Sequence, residues 1–354
     1  MTKAASREVS FHKKLFSKLF LSILIGAVFA WLAAQGGVPL IPSEQSFRAV
    51  VWWTVPTYAG LLLCTHFVRA SRWRFLIAPV QQVPLKECVL LNWIGFFAIF
   101  ALPFRLGELA RPALTKARRG IPVSAGMGTV AVERVVDGLV MSLCVAWALF
   151  ALRRQPSDDP LVILLPTYGA LALGVFSSAF FALGVFLWKR DLAVALTERV
   201  FGLVNSRLGA VISEKVAGIA TGLLSVGDFR LFARFMAETL MYWSANAFGM
   251  WLLAWGCGLP LHFGHAVALM GILAIGILLP TGPGLFGNFQ LAILTALKLY
   301  LPFETVSESG AVYIFLLYVV QSLVITTAGL IPLYALRIPF AALIQLHPKT
   351  ANEP

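Results

Sequence analysis

Residues 101–112, ALPFRLGELARP, and residues 130–140, VAVERVVDGLV, each carry three charges inside otherwise apolar surroundings. One charge near a bilayer centre costs about 2.5–3.5 kcal/mol, so six unpaired charges would cost about 15–20 kcal/mol. Three positive and three negative charges therefore predict a paired cluster, which at membrane depth is a hypothesis for a functional site. A salt-bridge lock between helices is the alternative. The charged residues are Arg105, Glu108, Arg111, Glu133, Arg134 and Asp137.

The composition predicts an all-α polytopic membrane protein. Of the 354 residues, 59% are hydrophobic and only 12% are charged, and that charged fraction is about half of what soluble domains carry. The net charge of +12 fits the positive-inside rule and contact with anionic lipid better than binding to nucleic acid. The four cysteines show no CxxC spacing, which predicts neither a disulfide nor a metal site.

Hydropathy predicts six full spans and two apolar regions, 85–112 and 263–300, that are broken by Pro and Gly. If 85–104 were a full span, the basic run at 116–119 would face outside. Treating both broken regions as re-entrant hairpins removes this conflict and places most Lys and Arg, including Arg69, Arg72 and Arg74, in the cytoplasm. Both termini are then cytoplasmic in a multi-pass protein of the inner (cytoplasmic) cell membrane. The expected spans are 17–34, 50–68, 122–151, 161–187, 231–256 and 311–336.

This order of spans predicts an inverted repeat. Residues 1–160 hold two spans, a cytoplasmic-side hairpin and the charged span; residues 161–354 repeat that order upside down. Secondary transporters with this layout bind their substrate near the bilayer midplane. Within the second half, residues 189–230 carry apolar side chains on one helical face. Two interpretations stay open for this segment: amphipathic helices on the inner leaflet, or a linker hairpin packed on the protein.

The first hairpin contains a predicted anion site. Pro103 can start a short helix over 104–111 whose N-terminal end points to the membrane centre, and Pro112 is expected to break or kink it. A helix N-terminus beside an arginine favours a phosphate, so Arg105 and Arg111 are candidate phosphate ligands. Alternatively, these two arginines merely neutralise the nearby carboxylates.

The charged span carries the matching acids. Glu133 lies about 18 Å from the start of its helix, close to the middle of a hydrocarbon core of about 30 Å. Glu133 and Asp137 are spaced i,i+4 and are expected to face the arginines of the first hairpin, whereas Arg134 points about 100° away. The two carboxylates could also share a proton and couple to a proton gradient.

The second hairpin turns over 280–290, where three glycines and two prolines within eight residues prevent a continuous helix. Such a backbone is tolerated in a membrane where it is buried in protein or lines a cavity. Its amides are a candidate oxyanion site, and the polar side chains that follow are candidates for binding a head group. The alternative is a tight turn that uses glycine for close packing. The candidate residues are Pro283, Gly284, Gly287, Asn288 and Gln290.

No motif for soluble catalysis is present in the sequence. There is no nucleotide-binding Gly-rich loop followed by Lys-Ser/Thr, no Gly-x-Ser-x-Gly elbow and no metal-ligand spacing of histidines. We therefore expect no cofactor and no metal, and a transporter rather than an enzyme.

Four motifs together resemble the lysylphosphatidylglycerol synthase transmembrane-region family of flippase-like proteins, over nearly the whole chain. They are Asn92, then Leu102-Pro103-x-Arg105-x-Gly107-Glu108-x-x-Arg111, then Glu133-Arg134-x-x-Asp137, then Pro280-x-x-Pro283-Gly284-x-x-Gly287-x-x-Gln290. The resemblance adds Asn92 to the candidate site. It implies a lipid flippase module; relatives move aminoacylated phosphatidylglycerol or are tied to polyprenyl-linked sugars or hopanoids. A soluble aminoacyltransferase domain is missing, so synthesis of lysyl-lipid is not expected. Many members have Glu where Gln290 stands, which weakens a proton role there.

The leading hypothesis is a lipid translocase with a polar cleft between the hairpins. Arg105 and Arg111 would hold the phosphate, Glu133 and Asp137 a cationic group or coupling ion, and Arg134 would tie the cluster together. Arg105, Arg111, Glu133 and the 283–287 backbone are expected to line one cavity. An integral-membrane transferase that uses Glu133 or Asp137 as a base, or an accessory subunit of a lipid-biosynthesis complex, are the alternatives. The candidate partners are a membrane lipid, a lipid-modifying enzyme and a second copy of the chain, and no nucleic acid.

Overall fold

The computed structural model describes residues 41–102, 107–152, 154–203, 205–278 and 282–338, with scattered residues between 23 and 39. This part of the chain is helical and contains no β-strand. Its main helices are α1 Thr54–Ile77, α2 Leu85–Ala101, α3 Ala110–Arg119, α4 Val123–Ala151, α5 Pro160–Trp188, α6 Arg190–Gly202, α7 Ser206–Gly222, α8 Phe229–Gly256, α9 Phe263–Gly276, α10 Asn288–Lys298 and α11 Ala311–Ala335.

Three described stretches are long and apolar enough to cross a membrane by length and composition. They are α4, α5 and Phe303–Ala335, which contains α11, and they make the chain a multi-pass membrane protein. α1 and α8, with 24 and 28 residues, reach about 36 and 42 Å, but their polar residues exclude them from this group. The expected span at 17–34 falls largely outside the described residues.

Each broken region forms two helices that pack on each other, α2 with α3 and α9 with α10. Residues 103–106, where the sequence places the first turn, lie outside the described residues. Arg119 at the end of α3 donates a hydrogen bond of 2.8 Å to Glu87 at the start of α2. In the second region, the His265 ring near the start of α9 lies 4.7 Å from the Tyr300 ring just beyond α10. Each region therefore folds back on itself as a helical hairpin whose two ends lie together.

The two hairpins open at opposite ends of α4. The first ends immediately before α4, whose 29 residues extend about 43 Å. Beyond the far end of α4, the Gln155 N–H donates to the Leu299 carbonyl at 2.8 Å, and Lys298 Nζ lies 2.9 Å from an Asp159 carboxylate oxygen. Burial raises the pKa of Asp159, but the hydrogen bond and charge of Lys298, together with backbone hydrogen bonds from α5, outweigh burial and lower the net pKa. The Asp159 carboxylate therefore stays ionised at neutral pH.

Pro112 does not break a helix. α3 begins at Ala110 and continues to Arg119, with Pro112 in its first turn. Backbone N–H groups of a first turn have no intrahelical partner, so a proline there removes no hydrogen bond. The expectation of a break or kink was wrong for this reason. Of the expected helix over 104–111, residues 107–109 form a 3₁₀ turn that leads into α3.

The segment 189–230 forms α6 and α7, which pack on each other, and α7 also packs on α4. The approach of α7 to α4 is very close. A Cβ on Gly128 would lie 2.4 Å from the Ile219 carbonyl oxygen, and one on Gly222 would lie 2.1 Å from the Ala125 carbonyl oxygen. The interpretation as a packed hairpin is therefore favoured for α7, while α6 keeps apolar side chains such as Leu196 exposed.

A close contact within the first hairpin gives a direct test of its packing. A Cβ on Gly107 would lie 2.0 Å from the Ala98 carbonyl carbon and 2.1 Å from the Ile99 nitrogen. Because backbone atoms cannot move aside easily, Gly107→Ala should cost about 1–3 kcal/mol, as overpacking does. The unfolding temperature in detergent, followed by tryptophan fluorescence, should fall by several degrees. The matched Gly60→Ala in α1 meets no atom within 4 Å and should be neutral or slightly stabilising; similar losses in both variants would contradict the packing.

Candidate functional site

The centre of the charged cluster is an ion pair between the first hairpin and α4. Arg111 lies in the first turn of α3 and is 5% exposed; Glu133 on α4 is 0% exposed. Arg111 donates one hydrogen bond to the Glu133 carboxylate and another to the Asn92 side-chain oxygen. Asn92 in turn donates to the Cys88 carbonyl at 2.7 Å. The expected pairing of Arg111 with Glu133 is confirmed, and Asn92 supports the arginine.

Asp137 takes its cation from α1 instead of the first hairpin. Arg72 donates two hydrogen bonds to the Asp137 carboxylate, at 2.7 and 2.6 Å, and a third to the Thr239 hydroxyl at 3.0 Å. Trp243 Nε1 also donates to Asp137, at 3.1 Å. Arg72 is 0% exposed, whereas the sequence placed it among the charges that face the cytoplasm. That placement was wrong, and Asp137 pairs with Arg72 rather than with the hairpin's Arg111.

The two pairs form one continuous network. Arg72 Nη2 lies 3.8 Å from Glu133 Oε1, so the buried order is Arg111, Glu133, Arg72, Asp137. Glu133 and Asp137 lie on the same face of α4 because they are spaced i,i+4, as the sequence predicted. Bidentate pairing between planar groups holds the connected helices in a fixed register. The network ties together α1, α2, α3, α4 and α8.

Arg134 points away from this network, as expected from its position on α4. Its Nε lies 4.0 Å from Glu108 Oε1, and both side chains are about a quarter exposed, at 23% and 24%. This pair belongs to the hairpin side of the site. Arg105, the other expected phosphate ligand, lies outside the described residues, as do Pro103 and Pro280.

A cavity of about 170 Å³ lies beside the network and is lined by residues of α1, α2, α4, α5, α8, α9 and α11 together with the turn of the second hairpin. Much of its wall is apolar, with Phe96 and Phe100 from the first hairpin and Leu285 from the second. A narrow extension of about 10 Å³ reaches Glu108 and Arg111 and shares Phe96 and Arg134 with the main cavity. The polar lining of the main cavity includes Arg69, Arg134, Asp137, Trp243, Asn246 and Gln321.

The cavity differs from the expected one. Arg111 and Glu133 are packed into the network and are not among the residues that line it. Arg134 and Asp137 do line it, together with Arg69, which the sequence placed in the cytoplasm. The hairpins nevertheless meet at this cavity, because Leu285 and Phe96 contribute to the same wall.

The polar side chains of the second hairpin are used within the hairpin itself. Asn288 Nδ2 donates to the Gly276 carbonyl at 2.7 Å, and Gln290 Oε1 accepts from the Gly287 N–H at 2.7 Å. Asn288 and Gln290 are 3% and 6% exposed. These bonds join α10 to α9 and close the turn, and neither side chain lines the cavity.

The turn itself needs its glycines. Gly284 and Gly287 have φ of 74° and 82°, a region that side chains with a Cβ avoid. Pro283 starts the short 3₁₀ turn Pro283–Leu285, and the Tyr318 hydroxyl donates to the Gly284 carbonyl at 3.1 Å. These contacts favour the interpretation as a tight turn over that of an oxyanion site.

The site's chemistry is ionic and hydrogen-bonding. Within the described residues, no group of three or more His, Cys, Asp or Glu side chains is placed to hold a metal ion. Both carboxylates of α4 carry arginine partners, and two further guanidinium groups, those of Arg69 and Arg134, border the cavity. The arrangement can therefore hold an anion beside an apolar wall.

Comparisons with known proteins identify a family for the chain. No solved structure matches the chain. Glycosyltransferase AglD of Haloferax volcanii is 27% identical over 215 residues, which are 54% of this chain and 34% of that protein. The chain thus spans about a third of the length of this curated relative. A family described as Lysylphosphatidylglycerol synthase TM region matches residues 19–329. This match includes the charged cluster and both hairpins, and the chain belongs to the Lysylphosphatidylglycerol synthase TM region family.

Proposed function

We propose that the protein is a lipid translocase that moves a phospholipid or a polyprenyl-linked anionic head group between leaflets through a polar cleft at the midplane. The observation that carries this proposal is the cavity in which Arg69, Arg134 and Asp137 meet an apolar wall built from both hairpins. A lipid presents the same two chemistries, a charged head group joined to apolar chains. The head group would enter this cleft while the chains remain in the bilayer.

The helix packing supports an inverted repeat as the frame for such movement. The hairpins open at opposite ends of α4. The first helix of each hairpin also packs on the closing span of the other half: α2 on α11, and α9 on α4. The long helices α1 and α8, which occupy the same place in the two halves, pack on each other. Inverted repeats of this kind let the two halves of a transporter rock around a central site. In our proposal both termini of the chain are cytoplasmic.

The buried network and the cavity would have different tasks. Arg111 is committed to Glu133 and Asn92, so we propose that it fixes the first hairpin rather than holding the phosphate. Arg72 keeps Asp137 paired. Hydrogen bonds from Arg111 and Arg72 occupy these two carboxylates, which gives little support to a proton shared between them. Head-group binding is therefore proposed for the groups that face the cavity.

A membrane transferase is the second candidate. The relative named above is called a glycosyltransferase, and Asp137 borders the cavity, where a carboxylate could act as a general base toward a hydroxyl group. Its pairing with Arg72 and Trp243 opposes this role, because a base must be free to accept a proton. A membrane-lipid substrate is common to both candidates.

Reconstitution into liposomes separates these candidates. Fluorescent phosphatidylglycerol and phosphatidylcholine are placed in both leaflets, and a membrane-impermeant reductant removes the outer signal. Translocation predicts a protein-dependent rise in the reducible fraction that is faster for the anionic lipid, with no change in lipid mass. Protein-free liposomes are the control. Equal rates for every head group would contradict selective translocation, whereas a covalently altered lipid in mass spectrometry would establish the transferase.

A further inference from the structure

Arg69 has an unusual setting in the cavity. It lies on α1, one turn before Arg72, and its guanidinium carbon is 4.1 Å from the centre of the Phe96 ring and 5.7 Å from that of Tyr242. Arginine stacks on aromatic faces and keeps its N–H edge free to donate hydrogen bonds. The two rings therefore hold a planar cation at the cavity wall without occupying its donors.

Arg69 also differs from the other arginines of the cluster because no described carboxylate pairs with it. Among the described residues, no carboxylate lies within 4.0 Å of its guanidinium, and its buried Nε has no hydrogen-bond partner. The other arginines in the described part of the site are paired, as Arg72–Asp137, Arg111–Glu133 and Arg134–Glu108. Arg69 is half-buried, with a buried Nε and no described counter-charge, which is unfavourable for a guanidinium, so a bound anion would relieve a deficit that the fold leaves.

The charge count sets the size of that deficit. Within the described part of the site, four arginines face three carboxylates, which leaves one positive charge. Asp137 borders the same cavity, but Arg72 neutralises it through two hydrogen bonds. A ligand with a single negative charge would therefore balance the described part of the site.

The other residues that line the cavity indicate which further chemical groups the ligand has. The side-chain amides of Asn246 and Gln321 border the cavity and make no hydrogen bond to any described residue. They are available for neutral polar groups such as hydroxyls. The apolar wall, including Phe100 and Leu285, suits acyl or prenyl chains better than a free ion in water.

We propose that Arg69 is the anion-binding residue of the cavity and that its ligand is the phosphodiester of a lipid with one net negative charge. Asn246 and Gln321 would contact hydroxyl groups next to the phosphate. The identity of the ligand as a lipid rests on the proposed function, but its binding at equilibrium does not depend on transport. An arginine matches phosphate oxygens through two parallel hydrogen bonds, which a lysine cannot reproduce.

The test measures binding to the full chain in detergent. Dioctanoyl phosphatidylglycerol, dioctanoyl phosphatidylcholine and inorganic phosphate are titrated separately, and the rise in unfolding temperature reports binding. Phosphatidylglycerol should stabilise the wild type most. Arg69→Met should bind it about tenfold to a hundredfold more weakly, the loss expected for a charge-assisted hydrogen bond, and Arg69→Lys should be intermediate. Arg69→Met removes no partner from a carboxylate, so the variant should fold.

The matched control is Arg74→Met on the same helix, since Arg74 pairs with Glu238 and does not line the cavity. It should bind phosphatidylglycerol like the wild type. Equal binding of phosphatidylcholine, or wild-type affinity in Arg69→Met, would overturn the site. Stabilisation by inorganic phosphate alone would overturn the assignment to a lipid. Selective binding without translocation in liposomes would remove the proposed function and leave the site intact.

Discussion

Asp137→Asn should lower the free energy of unfolding by about 3–5 kcal/mol, the usual cost of removing one member of a buried ion pair. The variant would leave the Arg72 guanidinium, which is 0% exposed, without its bidentate partner at 2.7 and 2.6 Å. Thr239 and the more distant Glu133 would be its remaining polar contacts. We expect a large fall in unfolding temperature in detergent, followed by tryptophan fluorescence and by the monodisperse fraction in size exclusion.

A second change should rescue this loss. In Arg72→Met/Asp137→Leu both charges are gone, and apolar groups of similar size commonly replace a buried pair at little cost. The control is Asp159→Asn, which breaks the pair with Lys298 where the side chains are 28% and 16% exposed; such pairs contribute about 0–1 kcal/mol. Equal losses for Asp137→Asn and Asp159→Asn, or no recovery in the double variant, would contradict the network.

Much of the helical framework could be predicted from local sequence. The charged span expected at 122–151 is α4, Val123–Ala151, because a long apolar run continues on both sides of its charges. Both hairpins were expected because Pro and Gly interrupt their regions, and the contacts at their open ends, Arg119 with Glu87 and His265 with Tyr300, agree with re-entry. These features depend on neighbours in the chain, which hydropathy and turn chemistry describe well.

The partners of the charges could not be predicted in the same way. Hydropathy ended the second span at residue 68 because arginines follow, yet α1 continues to Ile77. Arg72 is tolerated inside because Asp137, 65 residues away, neutralises it. The only sequence signal was the i,i+3 spacing of Arg69 and Arg72, which places both arginines on one face of α1. That spacing does not show that one arginine pairs with an acid and the other does not, because the pairing depends on distant parts of the chain. The side-chain amides of Asn288 and Gln290 likewise form hydrogen bonds within their own hairpin.

Filling the cavity should abolish translocation. Ala274 on α9 lines the cavity and is partly buried, so an indole ring at this position would occupy much of its volume of about 170 Å³. Ala274→Trp leaves every ion pair of the network unchanged, and its position at a cavity reduces the cost of overpacking. We expect a folded protein whose lipid movement falls to the rate of protein-free liposomes. Unfolding temperature establishes that the fold is retained.

The leaflet assay on Ala274→Trp beside Ala170→Trp is the most direct measurement of the central claim. Ala170 lies exposed on α5, the helix whose apolar surface is largely unburied, so its indole would face lipid. Both proteins are reconstituted at equal density, and the fraction of fluorescent phosphatidylglycerol reached by the impermeant reductant is followed over time. If lipid passes through this cavity, Ala170→Trp should move lipid like the wild type, and Ala274→Trp should show no movement above the protein-free rate. Wild-type movement in a folded Ala274→Trp protein would show that lipid does not pass through this cavity.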